Sequence, residues 1–169
     1  MNTAEAGKNL RILLVDDNRS IHEDFRKILC PAASEGALES AEAILFDSPA
    51  QAAGRPVFEV DSAYQGKEGL AMAQKAAQDG RPYAMAFMDV RMPPGWDGVE
   101  TAARVWEVCP DLQVVICTAY SDYSWDDMAA RLKGSDRLVI LKKPFDAMEV
   151  LQLANALTEK WRLHQEARL

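Results

Sequence analysis

Short apolar runs and helical patterns alternate along this chain. The runs fall at 10–15, 57–62, 83–88, 112–117 and 137–141. Leu10-Arg11-Ile12-Leu13-Leu14-Val15 and Tyr83-Ala84-Met85-Ala86-Phe87-Met88 are brief and nearly free of polar residues, as strands buried on both faces are. Between the runs, apolar residues return at helical spacing. Ile21, Phe25, Ile28 and Leu29 lie at i, i+4, i+7 and i+8, one face of a helix. Ser20 with Glu23 three residues later resembles a capping box for its start, with Asn18 as the alternative cap. Further helices are predicted over 66–78, 98–108, 124–132 and 146–165. Five strands alternating with five helices predict an α/β fold, a parallel five-stranded sheet with helices on both faces. A 2-1-3-4-5 strand order places the topological switch point between strands 1 and 3.

Two segments exceed this plan. Residues 31–56, between the first helix and the second strand, form an insertion far longer than the ~2–6 residues usual for α/β loops. It is rich in Ala, Ser, Pro and Gly, and Ser40 to Phe46 has the pattern of a short helix. A plain surface excursion, a disordered segment and a docking element built on Ile44, Leu45 and Phe46 all fit this composition. The last helix is long enough to outlast the sheet. Val150, Leu153, Ala154, Leu157 and Trp161 form its apolar stripe, and its tail from Lys160 to Glu166 is amphipathic. The expected division is one domain over 1–157 and a helical extension, 158–169, linking to a further domain.

The 169 residues suit a single domain, and 49% hydrophobic residues supply its core. A net charge of -7 argues against nucleic acid as a direct partner. Cys30, Cys109 and Cys117 are odd in number and lack CxxC spacing. That disfavours a disulfide framework or a zinc site and suits a reducing compartment. Met1 to Asn9 is polar, without a signal-peptide core, and no apolar stretch reaches the ~20 residues needed to span a membrane. A cytoplasmic location is expected.

The chemistry sits where the strands end. Asp16-Asp17 closes the first apolar run and Asp89 the third. Carboxylates on adjacent strand tips gather where open α/β sheets place their ligands, and like charges this close repel unless a cation joins them. Asp17 and Asp89 can contact one Mg²⁺, with Asp16 holding it through water, and the ion keeps room for a phosphoryl group. A carboxylate in such a site can act as nucleophile and form an aspartyl phosphate. The strand at 137–141 leads into Lys142-Lys143-Pro144-Phe145, which brings a cation to the same crest. Pro144 holds its neighbour extended and permits a cis bond. The strand at 112–117 leads into Thr118-Ala119, which brings a hydroxyl suited to a phosphoryl oxygen.

This set of residues resembles the receiver domain of two-component response regulators. The motifs are Asp16-Asp17, Asp89 with Val90-Arg91-Met92-Pro93, Asp97-Gly98, Thr118-Ala119 and Lys143-Pro144-Phe145. The resemblance runs from about Leu10 to Leu157. It implies a flavodoxin-like (βα)₅ fold and phosphorylation from a histidine-kinase phosphohistidine or a small phosphodonor. It makes Asp89 the phosphoacceptor and assigns Mg²⁺ to Asp16, Asp17, Asp89 and the Arg91 carbonyl. Lys143 then pairs with the phosphoryl group, and Thr118 is the switch hydroxyl. The implied partners are a sensor histidine kinase or phosphotransfer protein and a downstream domain or protein. A partner or dimer contact is expected on the 118–141 face, through Tyr120, Trp125, Met128 and Ile140. The chain is not itself an enzyme in this reading, although a larger hybrid kinase or effector protein is open to it.

The family pattern is not followed throughout. Asp89 to Asp97 spans eight positions, one more than usual, through Pro93-Pro94-Gly95-Trp96. Ile140 stands where many members carry an aromatic switch residue, and Tyr120 and Tyr123 are nearby substitutes. The stretch from Ser121 to Asp136 is longer than usual. Arg91 and Tyr120, each two residues beyond a site residue, are placed by the resemblance beside the path of the hydrolytic water. Tyr120→Ala is therefore expected to speed autodephosphorylation. Two alternatives are a fold-only interaction module and a Mg²⁺-dependent phosphatase of another α/β class. The phosphatase usually puts its nucleophile on the first strand with a second Asp two positions on, whereas Asp16 and Asp17 are adjacent here.

Overall fold

The computed structural model describes residues 8–31, 57–119, 126, 127, 130 and 135–167. Five strands, β1 (Arg11–Val15), β2 (Glu59–Ala63), β3 (Met85–Asp89), β4 (Gln113–Ala119) and β5 (Leu138–Lys143), form one sheet in the order β2-β1-β3-β4-β5. All neighbours pair in parallel. The order is the one the sequence predicts, that of a flavodoxin-like sheet. Four helices are described: α1 (Arg19–Leu29), α2 (Gly66–Gln78), α3 (Gly98–Val108) and α4 (Ala147–Ala167). Of the helix expected over 124–132, Asp126, Asp127 and Ala130 are helical and the rest lies outside the described residues. The insertion, with Ile44, Leu45 and Phe46, lies outside them too, apart from Pro31.

Alternation along the strands explains the unbroken apolar runs. Leu13, Val15, Ala86, Met88, Val114 and Ile116 face the core beneath α2 and α3. Ile12, Leu14, Met85, Phe87, Val115 and Cys117 face the core beneath α1 and α4. Both faces of β1, β3 and β4 are buried, so polar residues are excluded from their centres, whereas edge strand β2 carries Asp61 and Ser62. Cys117 is a small core residue, and all three cysteines are free.

Local chemistry sets the helix starts. The Ser20–Glu23 capping box is not formed. Asn18, in extended backbone, is the N-cap of α1, and its side chain accepts from the Ser20 amide at 3.0 Å. The reciprocal box appears at α4 instead. The Glu149 amide donates to Asp146 Oδ1 at 2.9 Å and the Asp146 amide to Glu149 Oε1 at 3.2 Å. The buried stripe of α1 is His22, Phe25 and Leu29; Ile21 and Ile28, expected on that stripe, are only half-buried at its edges. The last turns of α4 fold back on the amino-terminal end of the sheet. Gln165 Nε2 donates to Asp111 Oδ2 at 2.9 Å, and His164 Nε2 lies 3.3 Å from Asp111 Oδ1.

Candidate functional site

Strand register assembles the acidic crest. Val15 pairs with Met88, so Asp16 and Asp89, which follow them, emerge at one level. Ligand oxygens of Asp16, Asp17 and Asp89 all lie within 4.8 Å of one another. Asp16 is buried, Asp89 half-buried and Asp17 exposed. Lys143, the last residue of β5, reaches across β4, and its Nζ donates to Asp89 Oδ1 at 3.1 Å. Thr118 is 1% exposed and sits in β4 one residue beyond Cys117, the partner of Asp89 in the ladder. Three strands thus run one or two residues past their apolar runs. Asp89, Thr118 and Lys143 are ladder residues at the ends of these strands, where the sequence reading places them, one or two positions beyond the predicted strand limits.

Each carboxylate has its own support. Asp16 Oδ1 accepts from the Asn18 amide at 2.8 Å, and the Asp16 amide continues the ladder to Ala63 O at 3.1 Å. Behind Asp89, the start of α3 presses on the strand backbone. A Cβ on Gly98 would meet Asp89 O at 2.3 Å, so only glycine fits there. The Gly98 amide donates to Val90 O at 2.8 Å, and Asp97 caps α3 by accepting from the Glu100 amide at 2.8 Å. The Asp-Gly pair therefore locks α3 to the strand that ends in Asp89. The loop residue Trp96 is half-buried between two cations, with Lys67 5.7 Å and Arg104 5.3 Å from its ring centroid. Arg91 is exposed on the same loop. Ile140 pairs with Ile116 and packs on the α2–α3 core. Tyr120, Tyr123, Trp125 and Met128 lie outside the described residues.

The charges are out of balance. Burial pushes Asp16 up to about 6, and the Asp89 and Asp17 charges add to it against the Asn18 amide. Burial also raises Asp89, despite its pairing with Lys143. The Lys143 ammonium is disfavoured by burial, yet the Asp89 carboxylate outweighs this and raises its pKa. Three carboxylates face one ammonium, and every clustered donor is a hard oxygen. That set fits a divalent cation of the Mg²⁺ type. Hollows of 80, 140 and 240 Å³ elsewhere share no lining residue with the crest.

The family model described as response regulator receiver domain matches residues 42–155. The chain belongs to that family. The matched span of this receiver domain includes Asp89, Thr118 and Lys143 and begins beyond β1 and α1. The response regulator MprA of Mycobacterium ulcerans is 29% identical over 94% of the chain, and the alignment covers 54% of that protein. The chain thus spans about half the length of this curated relative. A CheY-like receiver domain protein from Methanospirillum hungatei covers 91% of the chain and 97% of its own, at 19% identity and a TM-score of 0.63. A structure titled adenylate cyclase from Rhodopirellula baltica covers 95% of both chains, at 23% identity and a TM-score of 0.66. Membership makes the chain a signalling module of the response-regulator type. No helix among the described residues is long and apolar enough to cross a membrane.

One residue beside this receiver's crest escapes a pattern reading. His22 is 3% exposed, with Nε2 2.7 Å from Asp16 O and Nδ1 2.8 Å from Ser62 Oγ. Burial holds its pKa below the usual value, helped by the Arg26 and Arg19 charges against the Asp16 carbonyl. Its place on the inward stripe of α1 was a signal. Its partners, one of them forty residues away, were not visible.

Proposed function

We propose that Asp89 accepts a phosphoryl group and that the 118–141 face reports it. The observation carrying this reading is the convergence of three carboxylates with the Lys143 ammonium 3.1 Å from Asp89. An Asp89 oxygen attacks the phosphorus of a donor phosphohistidine. The new O–P bond forms as the P–N bond breaks, and the imidazole leaves with the electron pair. Mg²⁺, held by Asp16, Asp17, Asp89 and the Arg91 carbonyl, would neutralise charge on the transferred group. Lys143 then trades its carboxylate contact for a phosphoryl oxygen. Thr118, next along β4 from the ladder partner of Asp89, offers its hydroxyl to another. The added charge of about -2 draws both residues toward position 89 and biases the segment that joins β4 to β5.

Residues 1–157 constitute the phosphoacceptor unit in this reading, and 158–169 are the helical extension toward an output domain. The chain performs self-phosphorylation and autodephosphorylation only, in the cytoplasm, within a larger hybrid kinase or effector protein or beside a separate partner. Acetyl phosphate with Mg²⁺, followed by intact mass, tests it. The chain should gain one phosphoryl group and Asp89→Asn none. An unmodified wild-type chain would indicate a fold-only module. Sustained turnover of the phosphodonor would indicate a phosphatase.

A further inference from the structure

We propose that His22 is a positioning residue that clamps the β1–α1 turn and so holds Asp16 and Asp17 in the crest. This inference rests on the metal-site reading above, but the clamp itself is testable without metal. Hydrogen bonding dictates its direction. Asp16 O can only accept, so His22 Nε2 carries the hydrogen across their 2.7 Å contact. Arg26 Nη2 donates to Ser62 Oγ at 2.8 Å, and Ser62 Oγ turns its own hydrogen to His22 Nδ1 at 2.8 Å. The chain of bonds therefore runs Arg26, Ser62, His22, Asp16, from the exposed side of α1 through edge strand β2 to the turn. The ring cannot rotate out of this line. Tyr64 packs on it at 4.5 Å, and Arg19 stands 4.3 Å from the Tyr64 ring.

The turn needs such a clamp because its charges push it open. Swinging Asp16 outward would hydrate a buried carboxylate and separate it from Asp17 and Asp89. The ladder bond from the Asp16 amide and the bond to the Asn18 amide hold the nitrogen and carboxylate ends of that residue. His22 holds the third polar group, the carbonyl. An apolar side chain at position 22 would fill the same space and bind nothing there. With His22 in place, the repulsion within the crest is not relieved by local movement and remains available to attract a cation.

Amide hydrogen exchange in EDTA and calorimetric titration with Mg²⁺ alone test the proposal. His22→Ala should speed exchange at Asp16 and Asn18 by about tenfold while β3 and β4 amides keep their protection. It should also weaken Mg²⁺ by about tenfold. His22→Gln, which keeps donor and acceptor capacity on a planar group, should recover most of both, whereas His22→Leu, which fills the space and offers no hydrogen bond, should recover neither; equal rescue by Leu would mean a merely space-filling role and overturn the clamp. Ser62→Ala, which removes the relay without touching the ring, should fall between and decides the matter if His22→Ala fails to fold. Unchanged exchange at Asp16 and Asn18 in Ser62→Ala and in a folded His22→Ala overturns the clamp. If exchange responds but the wild-type chain binds no Mg²⁺, the metal reading fails and the clamp stands. If the wild type binds Mg²⁺ and His22→Ala binds it equally, the link from clamp to crest is overturned.

Discussion

Asp16 bears the electrostatic strain of the crest. The residue is 3% exposed, and its carboxylate lies beside two others. The sign of the consequence follows from its raised pKa. Below 3.8 the group is protonated in both folded and unfolded chains, and no penalty exists. Between pH 3.8 and about 6 the unfolded chain ionises first, so the folded state loses stability as pH rises. Above about pH 6 the loss is complete. Asp16→Asn removes the charge and keeps an acceptor for the Asn18 amide. It should therefore raise the melting temperature at neutral pH in EDTA, by about 1–2 kcal/mol or a few degrees. The gain should shrink to nothing as pH falls through that window. Thermal melts of both chains across pH measure it, and a pH-independent difference would show that repulsion is not its source.

At the scale of elements, the start of α3 is the joint that fixes Asp89. Gly98→Ala puts a Cβ where Asp89 O already lies, so α3 must retreat from β3; a loss of about 1–3 kcal/mol is expected in urea denaturation. Asp97→Ala removes the cap of α3 and should cost about 1 kcal/mol. Acetyl phosphate labelling should slow more in the glycine variant, because its displacement is transmitted to the strand bearing Asp89. The bounds of α2 and α3 were legible because Gly66 and Asp97-Gly98 punctuate clean helical patterns. Strand ends were less so. A hydrophobic count stops at Met88, Cys117 and Leu141, while ladder bonds continue into polar residues whose side chains meet above the sheet. Asn18 prevailed over Ser20 as a cap because it alone of the two has extended backbone. The candidate site was legible as a set of strand-tip residues. The role of His22 was not, since it depends on contacts that only the β1–β2 pairing creates.

The described residues build two buried cores on the two faces of one sheet, with three carboxylates and a lysine gathered at the carboxyl ends of its strands. The ion binding proposed above would be coupled to global stability, because the three aspartates meet only when β1 and β3 are paired. Free Mg²⁺ at about a hundred times its dissociation constant should add about 2.7 kcal/mol, or roughly 5–10 °C in melting temperature for a domain of this size. EDTA should reverse it. The increment should fall as pH drops below about 6, because a proton on Asp16 then competes with the cation. The two effects of pH oppose one another. Acidification stabilises the metal-free fold by neutralising Asp16 and weakens the metal-bound one by removing a charged neighbour of the ion. Melting curves with and without Mg²⁺ should therefore converge toward low pH and diverge toward neutrality. Parallel curves at all pH values would mean that the ion binds away from the three aspartates.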